Sequence, residues 1–457
     1  MNTQTQDKAG DDAPILSRDE LVSVFVAAEK PREQFRIGAE GEKFGVHATS
    51  GRPLFYGGDF SVCQVIGQLC SEYGWSPIRE VDDGPVLGAQ RGEASLTLEP
   101  GAQFELSGSP LPDLHQVSAE LHQHFAEIAP ISRRMGIAWL TTGFHPLATL
   151  DVLPWVPKQR YPVMREYLPQ RGSAGLDMMQ RTCTTQGNFD WHSEQDAMRK
   201  MRVALKLSPL MHAWFSNAPF KEGKQSELLS VRGAVWQNMD PARSGLLAQL
   251  WATQGTGYET YVEWALDAGM FLIWRDGQII KNTGQTFRDF LQHGFAGHRA
   301  TRADWRLHLG TLFPEVRLKN TLEVRSVDAL PTELSMASLA VWTGILYDDQ
   351  ALTAADALLS DWDHGQIEAA RRDLCARALH VKLLGRTGFE WAQEVFELAQ
   401  AGLKRRARLG ERQKDESVLL GPAQEILESR CVPAQRAIEQ WQASGSMIDA
   451  TAVHLPA

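Results

Sequence analysis

Residues 37–45 read Ile-Gly-Ala-Glu-Gly-Glu-Lys-Phe-Gly, and this stretch constrains the chain more than any other. On a β-strand, where side chains alternate between faces, Glu40 and Glu42 point the same way. Two carboxylates side by side repel, so both stay ionised only against a strong compensating charge. A divalent cation is the commonest compensation, and oxygen ligands of this kind suit Mg2+ or Mn2+. A strand face washed by solvent carries the same spelling, so the neighbouring stretches decide between the two readings.

Three stretches bear on it. Residues 94–108 read Ala-Ser-Leu-Thr-Leu-Glu-Pro-Gly-Ala-Gln-Phe-Glu-Leu-Ser-Gly, two alternating runs joined at Pro100-Gly101, which predicts a hairpin. Leu96, Leu98, Phe104 and Leu106 then face a core, with Ser95, Thr97, Glu99, Gln103, Glu105 and Ser107 opposite. In residues 321–326, Thr-Leu-Glu-Val-Arg-Ser, Glu323 and Arg325 share a face. A strand over 181–190 gathers Thr182, Thr184, Gln186 and Asn188. Five Glu recur here among Gln, Asn and Arg, whereas ordinary solvated faces favour Lys, Thr and mixed charge.

Four segments carry a family resemblance: 37–45, 98–108, 175–188 (Gly-Leu-Asp-Met-Met-Gln-Arg-Thr-Cys-Thr-Thr-Gln-Gly-Asn) and 313–319 (Phe-Pro-Glu-Val-Arg-Leu-Lys). Together they resemble the plant-type glutamate–cysteine ligases, which also occur in proteobacteria and belong to the glutamine-synthetase-like carboxylate–amine ligases. The similarity runs from about Leu16 to beyond Asp349 and weakens after that. It implies an α+β fold, a curved six-stranded antiparallel sheet backed by helices, with a mostly helical C-terminal region. The expected organisation is a disordered tail over 1–15, a catalytic domain over 16–349 and a helical region over 350–457 packed on that domain.

By the same resemblance, Glu40, Glu42, Glu99, Glu105 and Glu323 are Mg2+ ligands, with Mn2+ as a substitute. Arg325 repeats a Glu-x-Arg pattern of the superfamily and is the expected clamp on the transferring phosphoryl group. Arg317 is the second catalytic candidate, and Arg317 and Lys319 are expected at the nucleotide phosphates. Arg181 and Arg232 are the candidates for gripping the α-carboxylate of glutamate, with Thr182, Thr184 and Gln186 nearby. Parity puts Arg181 on the opposite face of an ideal strand, so its role requires a bulge or a strand end. Lys43 has the wrong parity for the carboxylate face. Some members of the family carry a redox disulfide, which is not placed here.

The implied reaction joins the glutamate γ-carboxylate to the amine of cysteine at the expense of ATP. Phosphorylating the carboxylate activates it, and phosphoryl transfer needs positioning and charge neutralisation rather than a covalent helper. Neither a phosphate-binding Gly-x-x-x-x-Gly-Lys-Ser/Thr loop nor a dinucleotide-binding Gly-x-Gly-x-x-Gly is present, so metal ions and Arg must hold the nucleotide. Ligation to another amine, a guanidine-kinase-like phosphotransfer, a two-metal phosphohydrolase and a non-catalytic binding module stay open as alternatives.

Composition sets the outer bounds. Hydrophobic content of 43% suffices for a large core, and a net charge of −10 argues against nucleic acid as partner. The five cysteines form no Cys-x-x-Cys pair, so zinc is not expected and reduced thiols are. The N-terminus lacks a basic, apolar leader, and the longest apolar stretch, 334–347, is too short to span a bilayer. The expectation is therefore a cytoplasmic monomer or homodimer acting on small molecules, with no membrane or nucleic-acid partner.

Periodicity fills in the rest. Ser17–Glu20 matches a capping box opening a helix through Ala28. Helices are expected over 61–73, 112–128 and 194–213, strands over 137–145 and 270–279, the latter with an Asp-Gly turn at Asp276-Gly277, and helices from Ser335 onward. His115, His122 and His124 are expected on a wet surface. Residues 152–169 and 219–224 are irregular, and the first, with Lys158, Arg160, Tyr161 and Arg165, is a candidate lid. The basic cluster Lys404, Arg405, Arg406 and Arg408 is expected to be a solvated helix face.

Overall fold

The computed structural model describes residues 12–252, 254–411 and 413–456. Most of the expected disordered tail, residues 1–11, lies outside these. The end of that tail is fixed, because Pro14 bridges Thr301 and the Ile15 amide donates to the Ala300 carbonyl at 2.9 Å.

One antiparallel sheet dominates. Its strands are β1 (Ile37–His47), β2 (Ser76–Ile78), β3 (Gly88–Arg91), β4 (Ala94–Leu98), β5 (Phe104–Ser107), β6 (Ile137–Leu140), β7 (Thr185–Phe189), β8 (Val316–Leu318) and β9 (Leu322–Val324). The spatial order is β8-β9-β7-β1-β5-β4-β3-β2, and β6 pairs with the second half of β1. Among the described residues the sheet thus has nine strands instead of six. The strands that escape the sequence are β2, β3 and β8, each too short to display alternation.

Alternation works where the strands are long enough. Leu96, Leu98, Phe104 and Leu106 are all buried on the back of the sheet. Against that side pack the helices Leu114–Met135 and Thr332–Leu346. The former starts at Asp113, whose carboxylate accepts from the Gln116 amide at 2.9 Å, and ends at Gly136 with φ 68°. It continues past Ile128, its expected end, because Pro130 is carried inside it. On this helix His124 is buried against Phe104 and Phe125, which corrects the wet-surface expectation for that residue. The helices Thr332–Leu346 and Gly388–Arg406 touch through Gly344 and Gly402, where a side chain would strike the opposite backbone.

Four local expectations change. The helix near the N-terminus spans Asp19–Val26 without a side-chain cap; Glu20 instead accepts from the Leu16 amide and pairs with Arg302. Residues 152–169 are not a long loop, since Arg160–Tyr167 is a helix with Pro162 in its first turn, where no intrahelical amide bond is lost. The expected strand over 270–279 divides at its expected Asp276-Gly277 turn into a hairpin, Leu272–Arg275 with Gln278–Lys281. In the basic cluster Lys404, Arg405 and Arg408 are exposed, Arg405 pairing with Asp348 at the surface, whereas Arg406 pairs with Glu416 and lies over the Tyr347 ring, so Arg406 alone is a structural link.

Candidate active site

The front of the sheet gathers the carboxylates. Glu42 on β1 lies directly across from Glu105 on β5, which lies across from Thr97 on β4. Glu40 faces Ser107 on one side and Gln186 of β7 on the other. Beyond β7, Asn188 is level with Glu323 on β9, and Glu323 is level with Arg317 on β8. A single row of polar side chains therefore crosses six strands.

Hydrogen bonds fix the row. Thr97 Oγ1 and Ser107 Oγ donate to the two oxygens of Glu105 at 2.5 and 2.8 Å. Asn188 Nδ2 donates to Glu40 at 2.8 Å. Glu42 accepts from the Thr184 amide at 2.9 Å and from Gln186 Nε2 at 3.3 Å. The other end of the Gln186 amide accepts from Arg325 at 2.6 Å, which ties the guanidinium to the Glu42 side of the row.

The two ends of the row differ in charge. Glu323 is fully buried and bonded to Arg317 at 2.7 Å, to Lys319 at 2.6 Å and to Arg325. Burial opposes its ionisation, but the three cations outweigh burial and hold its carboxyl well below the usual range. Around Glu40 and Glu42 the balance is reversed. Burial first, then repulsion from Glu323 and Glu105, pushes Glu40 up to about 7. Glu42 is pushed well above its ordinary value by burial and then by Glu105 and Glu99. At Glu105 the Thr97 and Ser107 hydroxyls and Lys158 favour the charged form against the opposing effect of burial. One end is saturated with positive charge, and the other holds more negative charge than its surroundings neutralise.

The remaining residues singled out in the sequence fall in different places. Glu99 is the first residue past β4, half-buried, in the turn before β5. Thr182 and Thr184 precede β7, their hydroxyls spent on the Met178 and Val327 carbonyls. Arg181 ends the helix Gly175–Arg181 and is not on a strand. It turns away from the row to Asp177 and to Glu222, the latter at 2.7 Å. Arg232 is buried and donates to the carbonyls of Arg325 and Ser326 at 2.7 and 3.0 Å. Among the described residues its Nε has no partner, and the side chain lines a small cavity with Trp236, Gln237, Ser326 and His212. Lys43 is buried behind the sheet among the rings of Phe104, Phe125 and Trp139, as its parity requires. Trp236, whose ring lies 5.8 Å from the guanidinium carbons of both Arg232 and Arg325, escapes sequence reasoning because it sits on a short helix without periodicity.

Residues 36–452 match the profile of Glutamate-cysteine ligase family 2 (GCS2). The chain belongs to this family. A chloroplastic glutamate–cysteine ligase B from Oryza sativa subsp. japonica is 39% identical over 438 residues, covering 94% of this chain and 86% of its own. The chloroplastic glutamate–cysteine ligase of Arabidopsis thaliana is 36% identical over 438 residues, with 95% and 82% covered. In structure, a glutamate–cysteine ligase from Francisella tularensis, solved in complex with AMP, superposes with a TM-score of 0.53 at 13% identity, covering 93% of this chain and 88% of that one. At that identity the likeness concerns the fold alone, which in this chain is mixed helix and antiparallel sheet. The plant relatives of this ligase family overturn the cytoplasmic expectation, since they are named chloroplastic. Among the described residues no helix is long and apolar enough to cross a membrane.

Proposed function

We propose that this chain is a glutamate–cysteine ligase. ATP transfers its γ-phosphoryl group to the γ-carboxylate of glutamate, and the amine of cysteine then displaces phosphate from the γ-glutamyl phosphate. The products are γ-glutamylcysteine, ADP and phosphate. Family membership supports the reaction, and the observation that carries the site is the row running from an under-neutralised carboxylate group to the Glu323 cation group.

The donor set fits Mg2+. Among the described residues no three acidic, His or Cys side chains converge tightly enough to enclose an ion alone. Mg2+ seldom asks for that; it is held by one or two carboxylates and completes its shell with water and substrate phosphates. Glu40, Glu42, Glu99 and Glu105 would hold it, and Glu323 would join through an oxygen released by its cations. When bound, the ion neutralises phosphate charge.

The side chains supply the rest. Arg325, tied to Glu323 and Gln186, offers a planar fork to the transferring phosphoryl group. Lys319 is the less enclosed partner for nucleotide phosphates, and Arg317, bonded to Glu323 and to the Gly310 and Leu312 carbonyls, holds the group in register. The Nε of Arg232, without a partner among the described residues, supports a grip on the glutamate α-carboxylate, with Gln186 and the backbone at Thr182 and Thr184 as its proposed companions. Arg181 keeps that role only by releasing Glu222. Residues 350–457 form a helical region packed on the 16–349 catalytic part through the contact at Gly344 and Gly402. The test is ADP release with glutamate plus cysteine, ammonia or other amines in turn. Cysteine should give the fastest release, with γ-glutamylcysteine as product; faster release with another amine, or release without glutamate, would overturn the reading.

A further inference from the structure

The segment 154–161 grips the turn that carries Glu99. The carbonyl of Leu98, just before Glu99, accepts from Lys158 Nζ at 2.7 Å and from Tyr161 Oη at 2.8 Å. The carbonyl of Pro100, just after it, accepts from the Val156 amide at 2.9 Å. Both peptide carbonyls flanking Glu99 are therefore anchored by one short segment.

The opposite side of the turn is held as firmly. Gln103 Oε1 accepts from the Gly101 amide at 2.8 Å, and its Nε2 donates to the Met179 and Thr182 carbonyls at 3.1 Å. A Cβ on Gly101 would come within 2.5 Å of the Gln180 carbonyl oxygen, so only glycine lets the turn lie this close to the helix Gly175–Arg181. Ala102 takes φ 64° to close the turn. Tyr161 is 1% exposed. Its hydroxyl, far from solvent, works on the backbone of the carboxylate row.

We propose that Tyr161 and Lys158 are positioning residues for Glu99: by anchoring the Leu98 carbonyl they set the reach of that carboxylate toward Glu42 and Glu105, and with it the affinity for a divalent cation. The inference rests on Glu99 being a metal ligand, as proposed above. It gives the segment expected to be a lid a different task, that of a clamp beneath the site.

The test uses Mn2+ as probe, followed by its electron paramagnetic resonance signal in the full-length protein without turnover, beside the Mg2+ dependence of ADP release. Tyr161→Phe deletes one buried hydrogen bond at nearly constant shape and should weaken Mn2+ binding about three- to tenfold. The half-saturating Mg2+ concentration should rise by a like factor. In a Glu99→Gln background, Tyr161→Phe should cause no further loss, because its effect passes through Glu99. An equal loss in both backgrounds, or unchanged Mn2+ binding in Tyr161→Phe while Glu99→Gln weakens it, would overturn the positioning role. Unchanged Mn2+ binding in Glu99→Gln itself would overturn the metal assignment beneath it, and the positioning role with it.

Discussion

Replacing Glu40 by Gln should make the metal-free protein more stable while disabling it. The Glu40 carboxyl is pushed from 4.5 to about 7 by burial, then by Glu323 and Glu105. A raised carboxyl means that the folded protein binds a proton that the unfolded chain has already lost, so stability falls as pH rises between 4.5 and about 7. Above that window the full displacement corresponds to about 3 kcal/mol. Neighbouring carboxylates share the strain and relax when Glu40 is neutral, so a gain of about 1–2 kcal/mol is expected. Glutamine keeps the oxygen that accepts from Asn188 and removes only the charge. For a chain of 457 residues this amounts to about 1–2 °C in melting temperature. Melting is to be compared at pH 8 and pH 5.5 in a chelator. The gain should be present at pH 8, fall to less than half at pH 5.5, inside the window, and shrink when Mg2+ is restored. A Glu40→Gln protein less stable than the parent at pH 8 would refute the claim that this carboxylate is under-neutralised.

Two further substitutions bear on the chemistry. Glu42→Gln should leave the fold intact and lower kcat by about a hundredfold or more in steady-state ADP release; near-normal kcat would remove Glu42 from the site. Arg325→Lys keeps the charge but loses the planar fork, so kcat should fall more than ATP affinity does. A change confined to the KM for ATP would show that Arg325 binds the ground state alone.

How much of this was legible follows from how local each signal is. The parity of Glu40 and Glu42, the hairpin at Pro100-Gly101 and the outward face of Glu105 were all visible, because strand alternation needs only a few residues. The pairing of Glu42 with Glu105 and the gathering of Glu323 with Arg317, Lys319 and Arg325 followed once the strands lay side by side. Arg181 was misplaced on a strand because its helix, Gly175–Arg181, is too short to show a period of its own, and the i,i+4 pair with Asp177 was the one clue. The helix Arg160–Tyr167 was hidden by the prolines around it, although a proline in a first turn costs nothing. The burial of His124 was invisible because it depends on the sheet that covers it. Nor could any short-range pattern show that the Leu98 carbonyl is held from residues 158 and 161.

The most direct test of ligation through an activated carboxylate follows the oxygen atoms. Glutamate labelled with oxygen-18 in its γ-carboxylate is turned over with ATP, cysteine and Mg2+, and the released phosphate is analysed by mass spectrometry. Phosphorylation of the γ-carboxylate, followed by attack of the amine, transfers one labelled oxygen to phosphate for each γ-glutamylcysteine formed. Phosphate without the label, carrying oxygen from water instead, would show that ATP is hydrolysed apart from the carboxylate and would contradict the reaction assigned to this site.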